Sequence, residues 1–241
     1  MVRGGVVMSG KTLVQTENMT KRFGRVQAIN GITVEIPKGI VVGLVGPNGS
    51  GKSTFLKLLA GVLRPDSGSV RVNNLPVGLE TKARVSYQPE IDHLYDWMTV
   101  QGALDYTAGL VPDWRWERAN ELVGFLNLEN NVKVGHLSKG MRARLKLAVT
   151  MSRDADLYLL DEPLSGIDPP SRIRIIKSLI GGYESGRHTI IISTHEVAET
   201  EGIFDRVIFL EKGQIRLDED AETLRAKHGR SIQGLFEEVY R

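Results

Sequence analysis

The chain has 241 residues, no cysteine and a formal net charge of only +2. This length is enough to bury a substantial core and favours one domain with a subdomain, while the near-neutral charge gives no sign of a strongly basic nucleic-acid-binding protein. The lack of cysteine excludes a disulfide framework and a thiolate metal site, and apolar runs such as residues 190–192 are far shorter than the about 20 residues of a membrane-spanning helix.

The N-terminal third is predicted to be rich in strands. Residues 1–10 are too short and too weakly apolar for a signal peptide, and we interpret them as a loose leader outside the fold. Short strand-like segments separated by turn residues then follow, and they read "TLVQTENM", "VQAINGITVEI" and "GSVRVNN". One strong helical pattern interrupts them, directly after a glycine-rich loop.

The pattern changes twice in the rest of the chain. From about residue 89 to residue 153 apolar residues recur at helical spacing, as at Val123 and Leu126, which predicts a helical insertion. After Asp154, strands "LYLLD", "TIIIST" and "RVIFLEKGQIRL" alternate with helices "PSRIRIIKSLIGGY" and "EVAETEGIF", and the tail resembles two short amphipathic helices. This alternation predicts crossover units and a largely parallel sheet.

The segment "GLVGPNGSGKSTFLKLLAG" places the glycine-rich loop between an apolar strand and a helix. Its glycines allow successive backbone N–H groups to turn towards phosphate oxygens at the positive end of the helix, which is the P-loop arrangement. Lys52 would reach the β and γ phosphates, Ser53 would ligate Mg²⁺ and Thr54 would lie near the α phosphate. The predicted nucleoside triphosphate site comprises Gly46, Pro47, Asn48, Gly49, Ser50, Gly51, Lys52, Ser53 and Thr54.

Two adjacent acids end the apolar strand in "LYLLDEP". Asp161 would hold Mg²⁺, and Glu162, which points elsewhere, would activate the water that attacks the γ phosphate. His195 follows "TIIIST" at the same predicted sheet edge, where it could touch the γ phosphate or orient Glu162. Helix capping by the acids and an ordinary polar contact of His195 are the alternatives that the pattern leaves open.

With "LSKGMRARLKLA", "LDEP" and "STHE" following the P-loop in this order, residues 13–217 resemble the ATPase subunit of ATP-binding cassette (ABC) transporters. The resemblance implies a single α/β domain with the P-loop ABC ATPase fold. Its mostly parallel core sheet and N-terminal antiparallel β subdomain would comprise residues 11–88 and 154–220. A helical subdomain would be inserted at residues 89–153, and residues 221–241 would form a helical tail.

The resemblance also assigns a signature motif and three further residues. Ser138 and Gly140 match the motif that completes the ATP site of the opposite protomer, and a capping serine followed by glycine suits an anion site. Phe23 matches the aromatic residue that stacks on adenine. Gln88 matches the glutamine that approaches Mg²⁺ and the attacking water, and Asp168 matches a residue of the loop that contacts the other protomer. The sequence departs from the motif at two positions, Lys139 and Met141, which replace glycine and glutamine.

In this family the implied activity is Mg²⁺-dependent ATP hydrolysis, with Lys52, Gln88, Glu162 and His195 as catalytic residues. The partners would be a second ATPase subunit, in a homodimer or heterodimer, and a separate membrane permease. The subunit would lie on the cytoplasmic face of the membrane and be soluble when isolated. A weaker resemblance to ABC-2 type exporters rests on "LSKGM", "PDW" and "LFEEVY".

Several interpretations remain open at this point. A soluble ABC protein that acts on ribosomes or DNA is the alternative function, although no nucleic acid partner is expected. Tyr95 or Trp97 could anchor a helix of the membrane partner or belong to the core. Three cations on the helix after the signature motif are expected to form a solvated face, and these are Arg142, Arg144 and Lys146.

Overall fold

The computed structural model describes residues 11–168, 171–172, 175–176 and 187–240. The leader at residues 1–10 and most of the predicted helix "PSRIRIIKSLIGGY" therefore lie outside the described residues, although residues 171–172 and 175–176 of that segment are helical. Within the described ranges, no helix is both long enough and apolar enough to cross a membrane.

A four-stranded antiparallel sheet is formed by the N-terminal strands, in the order β2-β1-β4-β5. Strand β2 alternates between buried and exposed residues, because Ile32, Val34 and Ile36 face the core and their neighbours face solvent. The strands are β1 (Thr12–Phe23), β2 (Val26–Pro37), β4 (Ser67–Val72) and β5 (Leu75–Pro76).

A six-stranded sheet in the order β10-β9-β3-β8-β7-β6 forms the centre of the molecule. All neighbouring strands are parallel except β9 and β10, so the carboxyl ends of the parallel strands meet at one edge. The strands are β3 (Val41–Val45), β6 (Val85–Gln88), β7 (Leu157–Asp161), β8 (Thr189–Thr194), β9 (Arg206–Glu211) and β10 (Gln214–Asp220).

Helices cover this sheet, and its central strands β3, β7 and β8 are buried along their whole length. Because successive side chains of β3 point to opposite faces, Val42 and Leu44 belong to the core on the α1 side, whereas Val41 and Val45 belong to the core under the helical insertion. The α-helices are α1 (Lys52–Leu59), α2 (Leu79–Lys82), α3 (Val100–Ala108), α4 (Trp116–Phe125), α5 (Lys139–Met151), α6 (Ala221–His228) and α7 (Ile232–Val239).

Arg153 connects the helical insertion to the core sheet. Its buried guanidinium pairs with Asp113 at 2.9 Å and donates to the carbonyl oxygens of Val85 at 2.7 Å and Ala83 at 3.1 Å. A single side chain thus holds the segment before α4 against the segment that leads into β6.

The predicted strand "RVIFLEKGQIRL" is wrong as one element, because it is a hairpin of β9 and β10. The chain reverses at Lys212 and Gly213, whose φ angles of 47° and 74° are both positive. Two successive positive φ angles are the requirement of a tight hairpin turn that matches the twist of its strands. The turn signal was present in "KG" but is weaker than the usual Asn-Gly or Asp-Gly.

The predicted α-helix "EVAETEGIF" is also wrong. The structure has turns at residues 198–200 and a short 3₁₀ helix at Glu201–Ile203. Local side-chain bonds compete with helix formation, since Thr194 Oγ1 accepts from the Glu196 amide at 2.9 Å and Thr200 Oγ1 donates to the Val197 carbonyl at 3.2 Å. The residues after His195 are therefore a loop.

Candidate functional site

The P-loop connects β3 to α1 and is shaped by close backbone approaches. A Cβ at Gly46 would lie 2.3 Å from the Leu210 carbonyl oxygen, and one at Gly51, where φ is 109°, would lie 2.5 Å from the Ala28 carbonyl oxygen. Only glycine fits both positions. Gly51 is the N-cap of α1 and gives no side-chain cap, so the first amides of this helix remain suited to bind an anion.

Lys52 is 6% exposed and lies inside the loop. Its Nζ donates to the carbonyl oxygens of Gly46 at 2.7 Å and Pro47 at 3.2 Å, and it lies 3.6 Å from Glu162 Oε1. Burial lowers the pKa of Lys52, while the negative charges of Glu162 and Asp161 act in the opposite direction. A cation is therefore held among backbone oxygens at the position where the sequence predicts phosphate binding.

Asp161, the last residue of β7, is 1% exposed. Its Oδ1 accepts hydrogen bonds from Ser53 Oγ at 3.0 Å and Ser193 Oγ at 2.7 Å, and the Tyr87 hydroxyl donates to Oδ2 at 3.4 Å. Burial, together with the negative charge of Asp161, raises the pKa of the Tyr87 hydroxyl. The structure thus brings together Ser53 and Asp161, the two residues predicted to share a metal ion.

Glu162 directs its carboxylate away from Asp161. Its φ of 46° turns the backbone at the end of β7, and its amide donates to Ser193 Oγ at 3.0 Å. Its Oε1 is hydrogen-bonded to His195 Nδ1 at 2.9 Å and lies beside Lys52. The Glu162 carboxylate therefore lies between His195 and Lys52 instead of capping a helix. A positive φ at a non-glycine residue such as Glu162 is typical of functional sites.

Gln88 ends β6 and is 1% exposed, yet its Oε1 has no hydrogen-bond partner among the described residues. A buried amide oxygen without a partner costs free energy unless a ligand satisfies it. In the part of the chain that the structure describes, no group of three or more histidine, cysteine, aspartate or glutamate residues is arranged so that it could hold a metal ion. A site with one carboxylate and neutral oxygens suits Mg²⁺, which keeps several waters and binds substrate phosphates. Ser53, Gln88 and Asp161 fit this ion.

Phe23 lies at the end of β1 and is 47% exposed, so its ring does not belong to the core. The Lys21 ammonium lies 5.8 Å from the centre of its ring. The exposed ring can accept a planar base, as the resemblance implies, and the nearby ammonium is itself paired with Asp66 at 2.7 Å.

Ser138 and Gly140 lie in a second group of residues at the start of α5. Ser138 Oγ accepts from the Met141 amide at 3.2 Å, which confirms the predicted N-cap. A Cβ at Gly140 would lie 3.0 Å from the Gly166 carbonyl oxygen, so the signature motif packs against the loop of Asp168 in the same chain. Among the described residues, no hydrogen bond or ion pair joins Ser138 or Gly140 to the P-loop.

Asp168 begins the helical segment that follows this loop. Its Oδ2 accepts from the Ser171 amide at 3.1 Å, and the bonds to Ser171 lower the pKa of Asp168. Asp168 is itself exposed, so its capping role leaves the surrounding loop accessible to a second molecule.

The predicted solvated face on α5 is wrong. Arg142 pairs with both Asp92 and Asp96 in the segment after Gln88. Lys146 is 7% exposed and donates to the Glu90 carbonyl oxygen at 2.6 Å, and Arg144 donates to the Leu126 carbonyl oxygen at 3.1 Å. Their partners are distant in sequence, which is why helical periodicity alone did not reveal them. Arg142 and Lys146 thus connect the signature helix to the residues that follow Gln88, and Arg144 connects it to the end of α4.

The fold and the site define a P-loop nucleotide-binding protein, and the comparisons with known proteins identify its family. The family model described as ABC transporter matches residues 29–165. One solved structure is the ATP-binding subunit of an ABC transporter. It superposes on 95% of the present chain and over its own full length, with a TM-score of 0.84 and 26% sequence identity. A dimeric bacterial ABC transporter cassette has the same fold. The superposition covers 87% of the present chain and 99% of the cassette, with a TM-score of 0.76 and 21% sequence identity.

Curated relatives agree with this result. The Nod factor export ATP-binding protein I of Burkholderia lata is 35% identical over 83% of this chain and 68% of its own length. The linearmycin resistance ATP-binding protein LnrL of Bacillus subtilis is 31% identical over 84% of this chain and 68% of its own length. An ABC transporter ATP-binding protein of Synechocystis is 34% identical over 79% of this chain, which spans only 56% of that relative's length. The chain therefore belongs to the ABC transporter family, and the predicted fold class is confirmed.

Proposed function

We propose that the chain is the ATP-binding and ATP-hydrolysing subunit of an ABC transporter and that it energises a separate membrane permease. The observation that supports this proposal best is the line of contacts from Lys52 through Glu162 to His195, beside the hydrogen bond between Ser53 and Asp161. A phosphate-binding cation, a candidate general base and a candidate metal-binding pair thus meet at one edge of the sheet.

In this proposal the residues divide the reaction among them. Glu162 Oε1 accepts a proton from a water molecule whose oxygen bonds to the γ phosphorus, while the bond from that phosphorus to the bridging oxygen breaks and ADP leaves. His195 holds the Glu162 carboxylate in place, and Lys52 exchanges its carbonyl partners for phosphate oxygens. Mg²⁺, held by Ser53, Gln88 and Asp161, would neutralise charge on the phosphates.

We further propose that two ATPase subunits, in a homodimer or heterodimer, complete each other's sites. Ser138, Gly140 and Asp168 lie outside the contacts of the P-loop in one chain, which supports a role in the site of a second chain. ATP would bind both chains only when they are closed, so that ATP shifts the population towards the closed dimer. Phe23 would stack on adenine. Residues 11–88 and 154–220 would form the core with its β subdomain, 89–153 the helical subdomain and 221–241 the tail.

The permease is proposed to dock beside the helical subdomain at the cytoplasmic face of the membrane. A groove of about 210 Å³ is lined there by aromatic and apolar residues that include Tyr95, Tyr106 and Leu110. Tyr95 and Trp97 stack with ring centres 5.9 Å apart, and Trp97 is 71% exposed. An exposed aromatic pair beside a groove suits a helix of a partner. The name of the Nod factor export relative favours an exporter.

The substitution Glu162→Gln tests the catalytic proposal. The variant should bind Mg²⁺-ATP as tightly as the unmodified chain, because the amide keeps the shape of the side chain, but its turnover should fall by about 10²-fold or more through loss of the base. Steady-state phosphate release and ATP binding by calorimetry measure the two quantities. Glu129→Gln, on an exposed loop, is the matched control. Turnover at the unmodified rate in Glu162→Gln would remove Glu162 from the catalytic role.

The substitution Trp97→Ala tests the docking proposal separately. It should weaken co-purification with the permease from a membrane fraction and leave ATP turnover of the isolated chain unchanged, since Trp97 is exposed and takes no part in the contacts of Lys52 with Glu162 or of Glu162 with His195. Leu79→Ala, which alters another highly exposed apolar residue, should leave co-purification unchanged. Equal recovery of the permease with the Trp97→Ala variant would refute the proposed surface.

A further inference from the structure

Arg172, four residues after Asp168, joins two loops of the proposed site. Its side chain is only 12% exposed. Its Nε donates to the Ile167 carbonyl oxygen at 2.6 Å, and its Nη1 pairs with Glu199 at 2.8 Å and also with Glu196. One guanidinium thus binds the Asp168 loop (residues 165–168) and the His195 loop (residues 195–201).

We propose that Arg172 is a positioning residue that fixes the Asp168 loop relative to the His195 loop, so that contact with the second subunit is passed to the catalytic histidine. The inference rests on the proposed function, in which Asp168 contacts the second subunit and His195 orients Glu162. Arg172 belongs to none of the motifs found in the sequence.

The His195 loop depends on this link because it has little regular structure of its own. It consists of turns and a 3₁₀ helix. Arg225 and the Gln233 amide hold its far end at Glu201, whereas the part next to His195 has the local bond from Glu196 N to Thr194 Oγ1 and the ion pairs with Arg172. Within the described ranges, Arg172 is the cation that pairs with Glu196 and Glu199. Glu196 directly follows His195, so a shift of the guanidinium moves the residue next to the imidazole.

The other side of the link is equally direct. The Arg172 amide donates to the Asp168 carbonyl oxygen at 3.2 Å, and the Asp168 carboxylate accepts from the Ser171 amide. Together with the bond from Arg172 Nε to Ile167, these contacts hold Asp168 and Arg172 as one unit. A displacement of Asp168 by a second subunit is therefore carried to Glu196, then to His195 and, across 2.9 Å, to Glu162.

The chemistry of the side chain explains why an arginine is needed. A planar guanidinium presents several N–H donors in fixed directions and can bind carboxylates and a carbonyl at once, whereas the ammonium of lysine is a point charge on a flexible chain. Arg172→Lys should therefore keep the charge but hold only one of the two loops. Arg172→Met keeps the apolar stem and removes both contacts.

Amide hydrogen exchange of the nucleotide-free chain tests the link without any use of catalysis. In Arg172→Met, exchange should rise together in residues 165–168 and 195–201, by about tenfold in each, because both loops lose the same constraint. Arg172→Lys should raise exchange in one of the two loops. Arg230→Met removes an exposed arginine that pairs with Glu238 at 2.9 Å and should change neither loop. Unchanged exchange in both loops of Arg172→Met would overturn the proposal.

ATP turnover tests whether the link serves catalysis. Arg172→Met should lower kcat by about tenfold and change the KM for ATP by less than about twofold. In a chain that already carries Asp168→Ala, Arg172→Met should lower kcat by less than about twofold. The effects of two substitutions on the same path of contacts do not add. Equal losses in both backgrounds would overturn the positioning role. If the unmodified chain does not hydrolyse ATP, the proposed function fails, whereas the exchange result still decides whether Arg172 joins the loops.

Discussion

Replacing Gln88 with methionine should stabilise the nucleotide-free chain and impair hydrolysis. Gln88 is 1% exposed, and its Oε1 has no partner among the described residues, so the folded chain bears the desolvation cost of that oxygen. Such a cost is about 1–3 kcal/mol. Methionine has nearly the same shape without the polar oxygen, and we expect the free energy of unfolding to rise by about 1–2 kcal/mol, or the Tm by roughly 2–6 °C.

The same change should remove the proposed Mg²⁺ contact and lower turnover by about tenfold or more, as expected for a lost transition-state interaction. Urea unfolding in the presence of a chelator gives the stability, and phosphate release gives the turnover. Gln101→Met is a matched control, because the Gln101 side-chain amide donates to Asp105 on the same helix at 2.8 Å and this hydrogen bond is exposed. It should change stability by about 0.5 kcal/mol or less and leave turnover intact. A destabilised Gln88→Met chain, or one with unchanged turnover, would refute the reasoning.

Three further substitutions test other parts of the account. Arg153→Met should lower the free energy of unfolding, measured by urea titration, by about 3–5 kcal/mol, because Asp113 loses its buried partner. A loss below about 1 kcal/mol would contradict the role of Arg153 in stability. Phe23→Ala should raise the KM for ATP roughly tenfold with kcat unchanged, because tenfold equals about 1.4 kcal/mol and base stacking is worth about 1–3 kcal/mol, and an unaltered KM would exclude the adenine contact. Gly46→Ala should abolish ATP binding measured by calorimetry, since its Cβ would lie 2.3 Å from a backbone oxygen, and normal affinity would contradict that geometry.

The parts of the site that follow from local patterns could be predicted from the sequence. Glycine spacing between an apolar strand and a helix specifies the P-loop, and an acid at the end of a buried strand specifies the position of Asp161, because strand direction determines where its side chain lies. The N-cap at Ser138 follows from the same kind of local rule.

Contacts between distant segments could not be predicted in this way. Arg142 pairs with Asp92 and Asp96, more than forty residues earlier, and Arg172 with Glu196 and Glu199, more than twenty residues later. No periodicity encodes such pairs. The composition of the loop after His195 predicts a helix, whereas the side-chain bonds of its threonines and the ion pairs with Arg172 favour turns.

Sedimentation of Glu162→Gln with Mg²⁺-ATP tests the central claim, that two chains share each ATP site. Saturating ATP should double the mass of this variant, because ATP binds but is not hydrolysed. Adding Gly140→Asp, which places a carboxylate at the signature motif beside Gly166, should leave ATP binding intact and keep the chain monomeric. A Glu162→Gln chain that binds ATP and stays monomeric would contradict the homodimer, and a dimer that forms despite Gly140→Asp would contradict the shared ATP site.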